Sequence, residues 1–203
     1  FESMQSSSNR LPLDRADATN SAHVNERDLG VFLYWAPRHV RERYRRLVED
    51  NLKGSGDYGA LAIGVHNGQP PNRADANPSL HVVARATWPF DIGGRLVEGA
   101  VAGYTGRYVV TADQRSTGVQ GHEGWEYRDE RALVSLAIAP QPFGLLAEYN
   151  VGRGPEYDPQ TDSIRTQSLR GGFVTAMWKL EHGAHVLFPF VRYQVYDGGK
   201  KHE

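Results

Sequence analysis

The chain has 203 residues, with 23 Lys and Arg against 24 Asp and Glu, and a formal net charge of −1 at pH 7. This balance argues against a general nucleic-acid-binding protein, whose interface is usually basic. The lack of cysteine fits an oxidising compartment as well as the cytosol. No run approaches the roughly 18 consecutive apolar residues of a transmembrane helix, so a helical membrane protein is excluded. The opening Phe1-Glu2 carries no leader pattern, so we expect a mature chain or a fragment.

Residues 1–26 are rich in Ser, Asn, Asp and Arg and predict a polar loop or tail. Strand-like runs bounded by turn residues then recur to the end of the chain. Most are 9 to 13 residues long, closer to the nine to eleven of a membrane-crossing strand than to the five or six of globular proteins. We predict strands at 28–36, 57–67, 80–89, 95–109, 131–139, 143–153, 168–180 and 184–196.

Between the first two strands, Pro37 to Lys53 predicts an amphipathic helix with one apolar side. That side comprises Val40, Tyr44, Leu47 and Val48. Five arginines make the segment basic, which is compatible with an anion-attracting pore mouth, a lipid-headgroup contact or an ordinary solvated helix face. Counting the joints between strands places the helix at the end where the turns are short.

Several strands alternate between apolar and polar residues. In 143–153 the odd positions are apolar, from Phe143 to Val151, whereas the even positions include Glu148 and Asn150. Period two puts these sets on opposite faces of a sheet. Aromatic residues also gather near strand ends, as in the interfacial girdles of membrane barrels: Trp35, Trp88, Phe90, Tyr104, Tyr108, Trp178, Tyr193 and Tyr196.

The joints between the predicted strands alternate in length. Those near 88–94, 140–142 and 181–183 are tight, whereas 68–79, 110–130 and 154–167 are long and polar. Short turns at one end and long loops at the other are typical of outer-membrane β-barrels. The predicted fold is therefore an all-β, antiparallel transmembrane barrel domain over 27–203, with one short helical insertion near 37–53.

Several segments resemble the phosphate-selective porins of the porin O and P type. The resemblance is carried by Arg27–Val31, Tyr58–Gly68, Ala84–Phe90, Gly171–Val174, Pro189–Tyr193 and Tyr196–Glu203. That family forms sixteen-stranded barrels, whereas this chain supplies about eight strands. It also ends in a polar Gly-Gly-Lys-Lys-His-Glu run, so the resemblance implies a fragment of a longer protein. The 37–53 helix is not associated with the family at that joint.

The resemblance implies passive diffusion of small anions such as phosphate through a homotrimeric pore among the outer-membrane lipids of a Gram-negative bacterium. Selectivity in such pores comes from basic side chains on the lumen wall. An arginine within a strand should face water, because a charge on the lipid face at mid-depth costs about 2–4 kcal/mol. The predicted anion contacts are Arg85, Arg107, Lys179 and Arg192, with Glu148, Asn150 and Gln194 as polar neighbours. These charges are equally compatible with a hydrated lumen in which they only balance nearby carboxylates.

No motif predicts an enzyme, a metal site or a cofactor. His182 and His185 with Glu181 lack further converging ligands, and the acidic run around His122 and Asp129 lacks EF-hand spacing. No Gly-x-Ser-x-Gly motif is present. We expect no catalytic residues and no nucleic-acid partner.

Two other functions remain open. A soluble β-barrel could bind a small ligand if its apolar face pointed inward. A small closed membrane barrel could serve as an anchor or adhesin, because eight strands enclose an interior filled by side chains. If the chain is a fragment, the edges at 28–36 and 184–196 should be unpaired.

Overall fold

The structure is a computed structural model and describes residues 11–12, 15–16, 18–19, 29–50, 52–53, 59–69 and 74–198. Most of the predicted 1–26 tail lies outside these residues, as do Arg27, Asp28, Tyr58, Gly54 and 199–203. The elements in chain order are β1 (Gly30–Trp35), α1 (Arg38–Glu49), β2 (Leu61–His66), β3 (His81–Ile92), β4 (Arg95–Val109), β5 (Glu126–Ile138), β6 (Phe143–Asp158), β7 (Ser163–Trp178), β8 (Leu180–His182), β9 (His185–Leu187) and β10 (Phe190–Asp197).

The described residues form an antiparallel eight-stranded sheet in the order β1-β2-β3-β4-β5-β6-β7-β10, with β8 and β9 paired separately. The prediction of an antiparallel all-β fold is confirmed. The sheet is open, because β1 and β10 form its two edges and pair with no further strand among the described residues. Closure into a barrel is therefore not seen, and the two edges lie at 28–36 and 184–196, where a fragment was predicted to leave them unpaired.

Helix α1 lies at the end of the sheet with the short turns, as predicted. It buries Val40, Tyr44 and Leu47 against Ala60 and Leu96. Arg43 donates to the Pro89 carbonyl at 2.7 Å, and Arg46 lies 3.5 Å from Asp91. The apolar side and two arginines thus attach the helix to the ends of β3 and β4, while Arg38 is 94% exposed.

We expect Leu47→Ala to lower the free energy of unfolding by roughly 2–3 kcal/mol, because the substitution opens a cavity between α1 and the sheet. Denaturant unfolding measures this change. Arg45→Ala, on the exposed side of the same helix, should change it by less than about 0.5 kcal/mol. Equal effects of the two variants would contradict the packing of α1.

The opposite end of the sheet differs from the prediction in two loops. Residues 154–167, predicted as a long loop, instead extend β6 and β7 to a tight turn at 159–162. Segment 110–125 packs Val110 and Val119 against Tyr108, Tyr127 and Ile164. A short second core thus lies where the sequence predicted polar loops.

Part of the N-terminal segment 1–26 is buried. Ala16, Ala18 and Thr19 are at most 1% exposed, and the Thr19 hydroxyl donates to Glu148 Oε1 at 3.4 Å. The segment 1–26 was predicted as a polar loop or tail, but these described residues contact the sheet. No helix in the described part of the chain is long and apolar enough to cross a membrane.

Candidate functional site

The two faces of the sheet differ in composition and in exposure. Side chains that share a face are identified by the cross-strand register, which is continuous from β1 to β10. The polar face is buried and includes Thr87, Glu98, Asp129, Arg131, Ser135, Glu148, Asn150 and Thr175, none more than 6% exposed. The apolar face is open and includes Val101, Val134, Leu136, Tyr149, Val151, Val174, Tyr193 and Val195, all at least 37% exposed.

This distribution inverts that of a water-soluble sheet, which buries its apolar face. The polar groups of this sheet contact one another, and the apolar groups meet the surroundings. Among the described residues, α1 and the segment around Thr19 pack on the polar face of the sheet. The polar face is therefore the candidate functional surface.

Arg85 and Arg192 lie on the polar face, as predicted by period two. Arg192 donates from Nε to Thr175 Oγ1 at 2.9 Å, and its guanidinium stacks 4.5 Å above the Phe173 ring. Arg85 donates to the Gly59 carbonyl at 3.5 Å. Both side chains remain partly exposed. They stand on β3 and β10, on different rows of the sheet, and so do not converge on one point.

Arg107 does not share this face. The register pairs it with Arg128 on the side of Val101 and Val134, and it forms an ion pair with Glu126 at 3.1 Å. The expectation that Arg107 faces inward is therefore corrected. Its surroundings are polar because it lies beyond the apolar stretch of the strand, near the long-loop end.

Lys179 follows β7 at the end with the short turns, outside the ladder between β7 and β10. Its ammonium lies 2.8 Å from Glu181 Oε1. This hydrogen bond, with the attraction between the two charges, lowers the pKa of the Glu181 carboxyl. Lys179 is thus at the base of the β8–β9 hairpin, away from Arg85 and Arg192.

Glu148, Asn150 and Gln194 all lie on the polar face, and the structure brings the first two together. Asn150 Nδ2 donates to Glu148 Oε1 at 3.2 Å, and both residues are at most 4% exposed. Gln194 lies on the edge strand β10, where it is exposed and pairs with Phe173 of β7. Glu148 and Asn150 therefore belong to the buried interior, whereas Gln194 is open at the edge.

A buried charge cluster on the polar face was missed by the sequence analysis. Asp129 lies between His81 and Arg131, with His81 Nε2 at 3.1 Å from Oδ2 and the Arg131 guanidinium at 2.9 Å from Oδ1. The Tyr104 hydroxyl donates to Oδ1 at 3.3 Å. His81, Asp129 and Arg131 are at most 3% exposed. This His–Asp–Arg cluster holds one carboxylate with three donors from three neighbouring strands.

Small residues make room for this cluster. A Cβ on Gly106 would overlap the His81 ring, and one on Gly152 would overlap Arg131. Asp129 was predicted in an acidic loop, because most of residues 126–131 are charged on both faces and hide the period of two. Asp129 and Arg131 are odd positions of the same strand as Ser135, so extending the alternation of 131–139 toward residue 129 could have located the cluster.

The described ranges contain no group of three or more His, Asp or Glu side chains able to hold a metal ion. His182 and His185 face each other as an exposed pair in the β8–β9 hairpin.

Comparison with known proteins adds no relative: no protein-family profile, curated protein or solved structure matches the chain. The likeness to phosphate-selective porins therefore stays a prediction from short sequence motifs.

Proposed function

We propose that this chain forms part of the wall of an outer-membrane pore that passes small solutes, with a preference for anions, by diffusion. The observation that carries the proposal is the exposure of the apolar face together with the burial of the polar one. A membrane barrel has this arrangement, with apolar side chains toward lipid and polar side chains toward the lumen. A soluble barrel with an apolar interior requires the reverse.

The height of the apolar face supports this proposal. In β6 its residues run from Phe143 to Val151, nine residues that span about 27 Å along the strand. A strand tilt of about 40° reduces this length to about 21 Å, close to the roughly 25 Å apolar band of outer-membrane barrels. The face therefore has the dimension that a bilayer requires.

Both borders of the apolar face have the chemistry of a membrane interface. At the short-turn end lies an aromatic girdle of Trp88, Phe90, Phe143 and Trp178, with the Phe143 and Trp178 rings 5.9 Å apart. At the other end lies a charged rim of Arg107, Glu126, Arg128, Glu130, Arg153, Arg170 and Asp197. Tyr104 and Tyr108, which were predicted to lie in an aromatic girdle, belong neither to this girdle nor to the charged rim. They lie on the polar face, where they pair with Arg131 and Tyr127.

Charges on the polar face favour anions as the solute. Lys53 lies 2.6 Å from Glu98, and Arg131 lies 2.9 Å from Asp129, so these pairs neutralise each other. Arg85 and Arg192 add positive charge to the same face, where the hydrogen bonds described above hold them. They are the proposed anion contacts. The porin-like motifs extend the proposal to phosphate as a solute and to a homotrimer in a Gram-negative outer membrane.

A second candidate is a membrane barrel without a channel, acting as an anchor. The burial of the polar face favours it, because Asp129, Asn150 and Thr175 are all 0% exposed. Barrels of eight strands have interiors filled by side chains. Conductance separates the two candidates.

Planar-bilayer recording of the purified protein tests the pore. We expect discrete conductance steps with chloride more permeant than potassium. Arg85→Ala and Arg192→Ala should each lower the chloride-to-potassium permeability ratio, by less than about tenfold, because each removes one lumen charge. Arg128→Ala is the matched control, since Arg128 lies on the apolar-face side in the charged rim. Folded, inserted protein without conductance would contradict the pore and favour the anchor.

A further inference from the structure

We infer that the apolar face carries a binding site for one phosphate-bearing membrane lipid, with an acyl chain in a groove over Gly172 and the phosphate at Arg170 and Arg153. This inference rests on the proposed membrane location. It goes beyond general lipid contact, because it assigns both parts of the lipid to named side chains.

The groove has a volume of about 310 Å³ and crosses β5, β6, β7 and β10. Its side walls on the apolar face are Val134, Leu136, Ala147, Tyr149, Val174, Tyr193 and Val195. An apolar, elongated ligand fits this lining, whereas a polar solute finds no charged side chain of the apolar face there. The chemistry of the groove matches a hydrocarbon chain.

Gly172 forms the floor of the groove and cannot carry a side chain. A Cβ at this position would lie 3.0 Å from Tyr149 Cδ2 and would overlap the Glu148 carbonyl oxygen. Tyr149 pairs directly with Gly172 across β6 and β7, and the residue is 47% exposed. The missing side chain leaves a depression between exposed tyrosine and valine side chains.

Two arginines lie above the groove on the same face. Arg170 is two residues from Gly172 along β7, about 7 Å away, and its side chain is 69% exposed. Arg153 is a diagonal neighbour on β6, because Arg170 pairs with Val151, and its side chain is 58% exposed. Diagonal neighbours in a sheet stand about 7–8 Å apart, a separation that one phosphate group can bridge with long arginine side chains.

Carboxylates border this arginine pair. Asp197 Oδ2 lies 3.3 Å from Arg170 Nε, and Glu130 Oε1 lies 3.9 Å from Arg153 Nε. Each contact is to Nε, and a guanidinium has five N–H donors in all. The geometry therefore points to a lipid phosphate that shares the two guanidinium groups with these carboxylates.

Lipid retention tests the site in vesicles of phosphatidylcholine that contain a minor fraction of phosphatidylglycerol. After extraction of the protein in mild detergent, native mass spectrometry counts each lipid that stays bound. We expect retention of phosphatidylglycerol over phosphatidylcholine. Arg170→Gln and Arg153→Gln should each reduce that preference by about tenfold, the effect of one lost charge-assisted hydrogen bond. Asp197→Asn, which removes a competing carboxylate, should increase it.

Further variants separate the two parts of the site. Ala147→Phe fills the groove and should lower retention of both lipids. Arg38→Gln removes an arginine that is 94% exposed on α1, at the short-turn end of the sheet and away from the groove, and should change nothing. Inorganic phosphate in excess should not displace the lipid, because it cannot occupy the groove, and displacement would overturn the inference. Insertion without any lipid preference would overturn the site alone, whereas failure to insert would overturn the membrane location as well.

Discussion

Replacing Val101 and Val174 together by arginine is expected to lower the free energy of unfolding from lipid vesicles by about 4–8 kcal/mol. An arginine near the bilayer midplane of a barrel costs about 2–4 kcal/mol, and each single variant should show that cost. The two positions are three strands apart, about 14 Å, so their effects should add. Reversible urea unfolding from vesicles measures the change.

The same substitutions distinguish lipid from water around the apolar face. Val101 and Val174 are 56% and 46% exposed, and an exposed valine in water tolerates arginine within about 0.5 kcal/mol. Gln160→Arg, in the turn between β6 and β7, is the control and should be neutral. Neutral Val101→Arg and Val174→Arg would show that water covers this face and would refute the membrane location.

Asp129→Ala is expected to destabilise the protein by about 3–5 kcal/mol in the same unfolding assay. The variant leaves Arg131 buried without its carboxylate, which is the costly way to break a buried ion pair. His81 and Tyr104 lose an acceptor as well. The size of the loss reflects burial and does not depend on conductance.

A double variant controls for simple loss of volume. Asp129→Asn with Arg131→Met removes both charges and keeps similar side-chain volumes, so it should recover most of the stability lost in Asp129→Ala. Asp197→Ala, which breaks the exposed pair with Arg170, should cost less than about 1 kcal/mol. Equal losses from Asp129→Ala and Asp197→Ala would contradict the buried charge cluster.

The strands were predictable where turn chemistry and alternation agree. Strand β4 begins and ends at the predicted 95 and 109, because Gly93 and Gly94 both adopt positive φ in the preceding turn. Helix α1 was predicted from Pro37 and its apolar side, and it ends at Glu49, four residues earlier than expected.

Prolines concealed the true extent of two strands. Pro155 made 154–167 resemble a loop, but pairing between β5 and β6 ends at Glu130 and Arg153, so Pro155 needs no hydrogen bond on that side. Pro189 divides the predicted 184–196 strand into β9 and β10. In both cases the effect of proline depends on the neighbouring strand, which the sequence does not reveal.

The candidate site was predictable where one face of a strand is clearly apolar. In β6 and β10 the alternation correctly placed Glu148, Asn150 and Arg192 on the polar face. In β4 both faces are mostly small or apolar, with Val97, Gly99 and Val101 opposite Leu96, Ala100 and Ala102. The alternation in β4 therefore did not show which face of the sheet carries Arg107.

The most direct test of the membrane location is a cysteine scan along β5, which the absence of native cysteine makes possible. Spin labels at single cysteines from Arg131 to Ala137, in vesicles, report collisions with oxygen, which concentrates in lipid, and with a water-soluble nickel complex. The account predicts that labels at Ala132, Val134 and Leu136 collide with oxygen and that those at Leu133 and Ser135 do not, with a period of two. Preferential collision of the Val134 and Leu136 labels with the nickel complex would contradict it, because the apolar face would then be in water.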